Sequence, residues 1–137
     1  MTDHTFRTFL EDFLDAWKHS SIRELEKLIS KDYQAREITD GEIVDFGYEE
    51  SINGWRQGFA FVKDNRAQWE VNEISIIPLR ENEILATLSA TIIVEGKTMD
   101  TVNLFFNTYK KLNGSDWMLM RSYIEAGVPV ENVKKYS

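Results

Sequence analysis

Apolar side chains recur at Phe6, Phe9, Leu10, Phe13, Leu14 and Trp17, in steps of three and four, with Asp12, Asp15 and Lys18 on the opposite side. That spacing puts one apolar stripe on a helix. The stripe is so aromatic that it needs a broad apolar surface to lie on. Ser20 and Ser21 interrupt the pattern, and Ile22, Leu25, Leu28 and Ile29 then predict a second, shorter helix. Ser21 suits its N-cap, with Glu24 three residues on as in a capping box, and the two helices form a hairpin. Over 32–46 the pattern is irregular, with weakly strand-like runs at 33–39 and 42–46 on either side of Gly41. Residues 51–64 place Ile52, Trp55, Phe59 and Val62 at helical spacing, with Glu49 and Glu50 near the start where negative charge suits the helix dipole. Gly54 and Gly58 lie on this third helix, each costing about 1 kcal/mol relative to alanine. Close helix-to-sheet packing is the preferred explanation for them, ahead of a cavity wall.

The period then changes from helix to strand. Residues 68–78 form a strand in which Trp69 and Val71 are out of phase with Ile74 and Ile76, which predicts a bulge near Asn72 and Glu73. Residues 83–125 read as three long antiparallel strands, joined by turns at Gly96-Lys97 and at Asn113-Gly114-Ser115-Asp116. With those turns Ile84, Leu88 and Ile92 share a face with Phe105, Tyr109, Met118, Met120 and Ile124, because side chains alternate along a strand. In the middle of that face Asn103 and Asn107 have Ala86, Ala90 and Ser122 as cross-strand neighbours. Polar groups and missing bulk coincide there, so a pocket is expected. The other face carries Leu85, Thr87, Ser89, Thr91, Val102, Leu104, Phe106, Thr108, Trp117, Leu119, Arg121 and Tyr123. It is too apolar to be left in water, which predicts a homodimer through the outer sheet face. The tail over 126–137 has no long periodic run and is expected to be a short packed or frayed extension. The class is therefore α+β, one domain over 1–137, with three amino-terminal helices packed on a curved, mostly antiparallel sheet.

Composition narrows the function classes. With 137 residues, 42% hydrophobic and 28% charged, the chain is an ordinary globular domain with one core. A net charge of -7 repels a phosphate backbone, so no nucleic-acid partner is expected. Cysteine is absent, which removes disulfides, thiolate metal sites and a cysteine nucleophile. The first 17 residues break every apolar run with Arg7, Glu11, Asp12 and Asp15, and no run approaches a membrane span of about 20 residues. The expectation is a cytoplasmic protein without a membrane partner. His4 and His19 are the two histidines, at the start and the end of the first helix, so neither a zinc site nor a serine triad can be assembled. Gly41, Gly47, Gly54 and Gly58 lack the spacing of a phosphate loop or dinucleotide fingerprint, and no cofactor is expected.

The order of elements, ending in the strand from Trp117 to Glu125, resembles the nuclear-transport-factor-2-like superfamily. This is the cone-shaped fold shared by SnoaL-like cyclases and steroid Δ-isomerases. The resemblance covers Phe6 to about Glu125 and implies a strongly bent sheet wrapped round the helices, with a pocket opening between the first and third helices and the concave face. Met120, Ser122, Tyr123 and Ile124 resemble the last strand of the steroid-isomerase branch, where alternate residues line the cavity. The comparison puts Asn107 where that branch has a protonated acid that hydrogen-bonds the oxyanion, and Glu37 at its proton-transferring carboxylate. Phe13 falls where the branch has a tyrosine donor, and it has none.

The resulting catalytic candidates are Glu37 and Asn107, and the pocket set is Phe13, Trp17, Tyr33, Trp55, Phe59, Asn103, Tyr109, Met120, Ser122 and Ile124. Asn107 is either satisfied internally, by backbone, Ser122 or Asn103, or presented to a ligand. Glu37 would serve as a general base if burial between Trp17 and Trp55 raised its pKa. The preferred reading makes it a rim carboxylate paired with Arg36. Asp40, Glu42 and Asp45 form a solvated acidic rim. A module binding a small apolar or aromatic molecule is favoured. The alternatives are a cofactor-free isomerase, dehydratase or polyketide-cyclase-like enzyme using Glu37 as base, and a structural or partner-binding dimerisation domain.

Overall fold

The computed structural model describes residues 4–112 and 116–136. The aromatic stripe forms α1(His4–Lys18), and Phe6, Leu10, Phe13 and Trp17 are buried along it. Ser21 caps α2(Ile22–Glu26), its hydroxyl accepting from the Glu24 amide at 3.4 Å. This helix ends earlier than its periodicity predicts. Ile29 starts β1(Ile29–Thr39) and pairs with Leu119, so long-range pairing of a β-branched residue overrides the local helical spacing. The irregular segment is an ordered hairpin of β1 with β2(Glu42–Gly47). Asp40 and Gly41, at φ of 51° and 79°, give the two positive angles that a tight hairpin turn requires. Then come α3(Tyr48–Asp64), β3(Gln68–Arg80), β4(Glu83–Val94), β5(Lys97–Thr98), β6(Thr101–Leu112), β7(Asp116–Pro129) and α4(Val130–Tyr136). The tail is thus more ordered than expected, since β7 runs on to pair with the start of β6 before α4 forms.

The strands build one curved sheet in the order β2-β1-β7-β6-β4-β3, with β5 paired to β4. All pairs are antiparallel except β1 with β7. The amino-terminal helices pack on its inner face. Phe6, Phe9 and Phe13 place their rings 5.5, 5.4 and 5.5 Å from that of Tyr109, which is fully buried. The predicted bulge in β3 is present, between Glu73 and Ser75. No helix among the described residues is long and apolar enough to cross a membrane.

Two turns depart from the alternation argument. The first hairpin turns at Glu95-Gly96, at φ of 53° and 76°, and not at Gly96-Lys97. Met99 and Asp100 then interrupt the strand and restore the register, so Ala86 still faces Asn107 and Ala90 faces Asn103. In the second hairpin Asn113, Gly114 and Ser115 lie outside the described residues. The pairing shifts between Thr108 opposite Arg121 and Tyr109 opposite Leu119, leaving Met120 as an extra residue. A bulge of this kind turns every side chain before it to the other face. Trp117 and Leu119, 5% and 1% exposed, therefore belong to the core and not to the outer face, while Met118 and Met120 are only half-buried. Trp117→Ala should accordingly lower unfolding stability by about 3–5 kcal/mol in a denaturant titration, and Met118→Ala by much less. Equal costs would contradict the bulged register.

Candidate functional site

The inner faces of β1, β6 and β7 meet α1 and α3 around a cavity of about 660 Å³, within the range of small-molecule sites. Alternation along β1 puts Tyr33, Ala35 and Glu37 on the concave face, and the register sets Ala35 beside Ser122 and Glu37 between Val44 and Ile124. Asn107 faces Ser122 across β6 and β7. Trp17 from α1 and Trp55 from α3 meet edge to face at 4.7 Å, and Phe105 lies 5.0 Å from Trp17, near-parallel to Trp55. These rings form the apolar wall. Val44 and Met99, 49% and 46% exposed, stand at the cavity from the β1–β2 and β4–β5 hairpins.

Gly54 and Gly58 turn a helix face to this space. A Cβ at Gly54 would meet nothing within 4 Å, and one at Gly58 would only touch Trp69 at 3.6 Å. Both line the cavity, so the cavity-wall explanation holds and close helix-to-sheet packing does not.

The polar groups sort into a chain and two loose ends. Ser122 donates its hydroxyl to Asn107 Oδ1 at 2.6 Å, and Asn107 Nδ2 donates to Tyr109 Oη at 3.0 Å. The internal partner proposed for Asn107, Ser122, is therefore the one it uses. Burial pushes the Tyr33 phenol up to about 12, against hydrogen bonding with Ser122 and Ser51, and the Glu37 charge adds to the rise. Burial also raises the Tyr109 phenol strongly. The loose ends are Trp17 and Glu37. Trp17 Nε1 is buried with no hydrogen-bond partner among the described protein atoms, which carries a desolvation cost. Glu37 is half-buried and accepts from Thr39 Oγ1 at 2.7 Å, a neutral donor. It is not paired with Arg36, whose guanidinium makes two bonds of 2.7 and 2.9 Å to Asp45 and holds that carboxyl below its usual range. No group of three or more metal-ligating side chains forms among the described residues.

Of the sequence-predicted set, the cavity brings together Glu37, Asn107, Trp17, Tyr33, Trp55, Asn103, Ser122 and Ile124. Phe13, Phe59 and Tyr109 are buried in the packing behind it, and Met120 is displaced by its own bulge, with Leu119 taking the inner position. Asn103 also ties down the sheet, accepting from the Gly127 amide at 3.0 Å. The sequence reading missed Phe46, Ile92 and Phe105 as cavity residues. Phe105 and Ile92 were visible as inner-face positions, and Trp69, an aromatic suited to a flat ligand, also lines the space.

No protein-family model matches the chain, and no curated protein matches it. Solved structures do. A domain of unknown function with a cystatin-like fold from Nostoc punctiforme is 16% identical, at a TM-score of 0.68 over 95% of this chain and 80% of that one. An NTF-2-like protein of unknown function from Shewanella oneidensis gives 12% identity and 0.66 over 88% and 96%. A ketosteroid isomerase-like protein from Erwinia carotovora atroseptica gives 10% and 0.62 over 91% and 95%. These likenesses establish the fold.

Tyr33 supplies a pH test. Its folded pKa lies above the ordinary 10.0, so the folded state keeps a proton that the unfolded state loses first. Stability should hold below pH 10 and fall as the pH rises towards about 12. Denaturant titrations across that window should show the fall, and Tyr33→Phe should flatten part of it. A fall unchanged by Tyr33→Phe would contradict the assignment.

Proposed function

We propose that this chain, whose fold is that of the nuclear-transport-factor-2-like proteins, is a small-molecule-binding domain of the SnoaL-like type that takes an apolar or aromatic ligand. The observation carrying this reading is the cavity with Trp17 in its wall. A space of about 660 Å³ is left open, with Trp17 among the residues that line it. Two glycines on α3 keep bulk out of that space at a cost in helix propensity. Chains optimised for stability alone would fill it.

A second reading has a specific observation in its favour, since Glu37 faces the cavity and could take a proton from a bound substrate. It is cofactor-free isomerase, dehydratase or cyclase chemistry. Against it, the Asn107 amide is engaged with Tyr109 and Ser122, and Phe13 offers no donor where charge would develop. Binding is therefore the stronger conclusion.

Gly54→Leu tests it. The new side chain projects into open space, so the variant should be more stable by about 1 kcal/mol from helix propensity. Naphthylmethanol, which should raise the thermal midpoint of the wild type logarithmically as its concentration climbs past Kd, should no longer do so. Undiminished binding to Gly54→Leu, or no binding to the wild type, would overturn the reading.

The half-buried outer face, with Leu85, Leu104 and Phe106 beside the exposed Tyr123, supports the further proposal of a homodimer through that surface. Its membership differs from the sequence expectation, because Trp117 and Leu119 have left it and Met118 has joined it. Light scattering at micromolar concentration should find a dimer, and Phe106→Asp should give monomer. A wild-type monomer would sink this proposal.

A further inference from the structure

We infer that the cavity selects organic cations, an apolar or aromatic body bearing a protonated amine, with Glu37 as the counter-charge. The inference rests on the binding reading above and adds the charge of the guest. Three carboxylates line the space, Glu37, Asp45 and Glu50, and no Lys, Arg or His is among the described residues that do. Two of the three are already engaged. Arg36 holds Asp45 through paired bonds, and Glu50 Oε1 accepts from the Gly47 amide at 3.1 Å, where it caps α3. Glu37 is different, because the donor that reaches it, the Thr39 hydroxyl, carries no charge. A half-buried carboxylate set between Val44 and Ile124 is poorly hydrated on those sides, so its charge acts strongly on whatever enters.

The walls fit the same guest. The faces of Trp55 and Phe105, near-parallel at 18°, suit a flat hydrocarbon, and the negative faces of indole rings attract a cation. An anionic guest would have to approach Glu37 in a chain of net charge -7. Repulsion between like charges in a partly desolvated site opposes it.

Three probes with one ring system and different charge test this: naphthylmethylamine, naphthylmethanol and naphthylacetate, each titrated into the full-length protein with tryptophan fluorescence as readout. The amine should bind about tenfold more tightly than the alcohol, as a charge-assisted bond outweighs a neutral one, and the acetate should be the weakest. Glu37→Gln, which keeps shape and an acceptor for Thr39, should lower the amine's affinity far more than the alcohol's and so remove the gap between them. Equal binding of all three, or preference for the acetate, would overturn the cation selection while leaving the binding function intact. An amine preference that survives Glu37→Gln would also overturn it. Failure of the neutral alcohol together with the other two would instead remove the binding function itself, and this inference with it.

Discussion

The burial of one phenol organises the molecule. Tyr109 has no exposed surface, and its ring is the common neighbour of Phe6, Phe9 and Phe13, so the three phenylalanines of the α1 stripe are seated on a single residue of β6. A phenol can be buried this deeply only if its hydroxyl finds a polar partner, because an unpaired one costs a few kcal/mol. Asn107, two residues along the same strand face, supplies it, and Ser122 on β7 fixes the amide in turn. The chain of three groups therefore does two jobs. It allows the helix to dock on the sheet, and it sets a polar floor under the apolar cavity on the other side of Asn107.

Much of this could be read from the residues. The α1 and α3 stripes have strong helical periods and correct phases, since each is decided within a few turns of one element. The pairing of Asn107 with Ala86 and Ser122 was also legible, although the first hairpin turn was placed one residue late. Two departures cancelled there: the true turn at Glu95-Gly96 lies one residue earlier and would shift the pairing by two, and the two extra residues Met99-Asp100 restore the offset. The Met120 bulge was not legible. Strict alternation assigns Met118 and Met120 inward as readily as Trp117 and Leu119, and hydrophobicity cannot decide between two apolar pairs. The structure decides it through packing, since Phe6 needs the Trp117 ring at 5.1 Å.

The site was legible to the extent that it sits on regular strands. Glu37, Asn107, Ser122 and Ile124 follow from alternation once β1 is placed beside β7. Phe13 was assigned to the cavity through the steroid-isomerase comparison and Phe59 as an aromatic suited to a flat ligand, and neither ground shows which member of a helical stripe faces a void. Ion pairing was the other blind spot. Arg36 is adjacent to Glu37 in sequence, but neighbours in a strand point to opposite faces, so Arg36 reaches across to Asp45 and leaves Glu37 to the inside.

The parallel pairing of β1 with β7 has a consequence for how the chain reaches this state. Every other strand pair joins segments near in sequence, but this one connects the first strand to the last, and such distant contacts are slow to form because the loop between them must be closed first. On a ribosome the β1–β2 hairpin would emerge long before its permanent neighbour exists, with one edge unpaired and Tyr33 uncovered by Ser122. The last strand to be synthesised is also the one that carries Ser122, Ile124 and the bulge. The cavity is thus completed only once β7 has been made, and a nascent chain halted before it would leave Asn107 without the Ser122 hydroxyl.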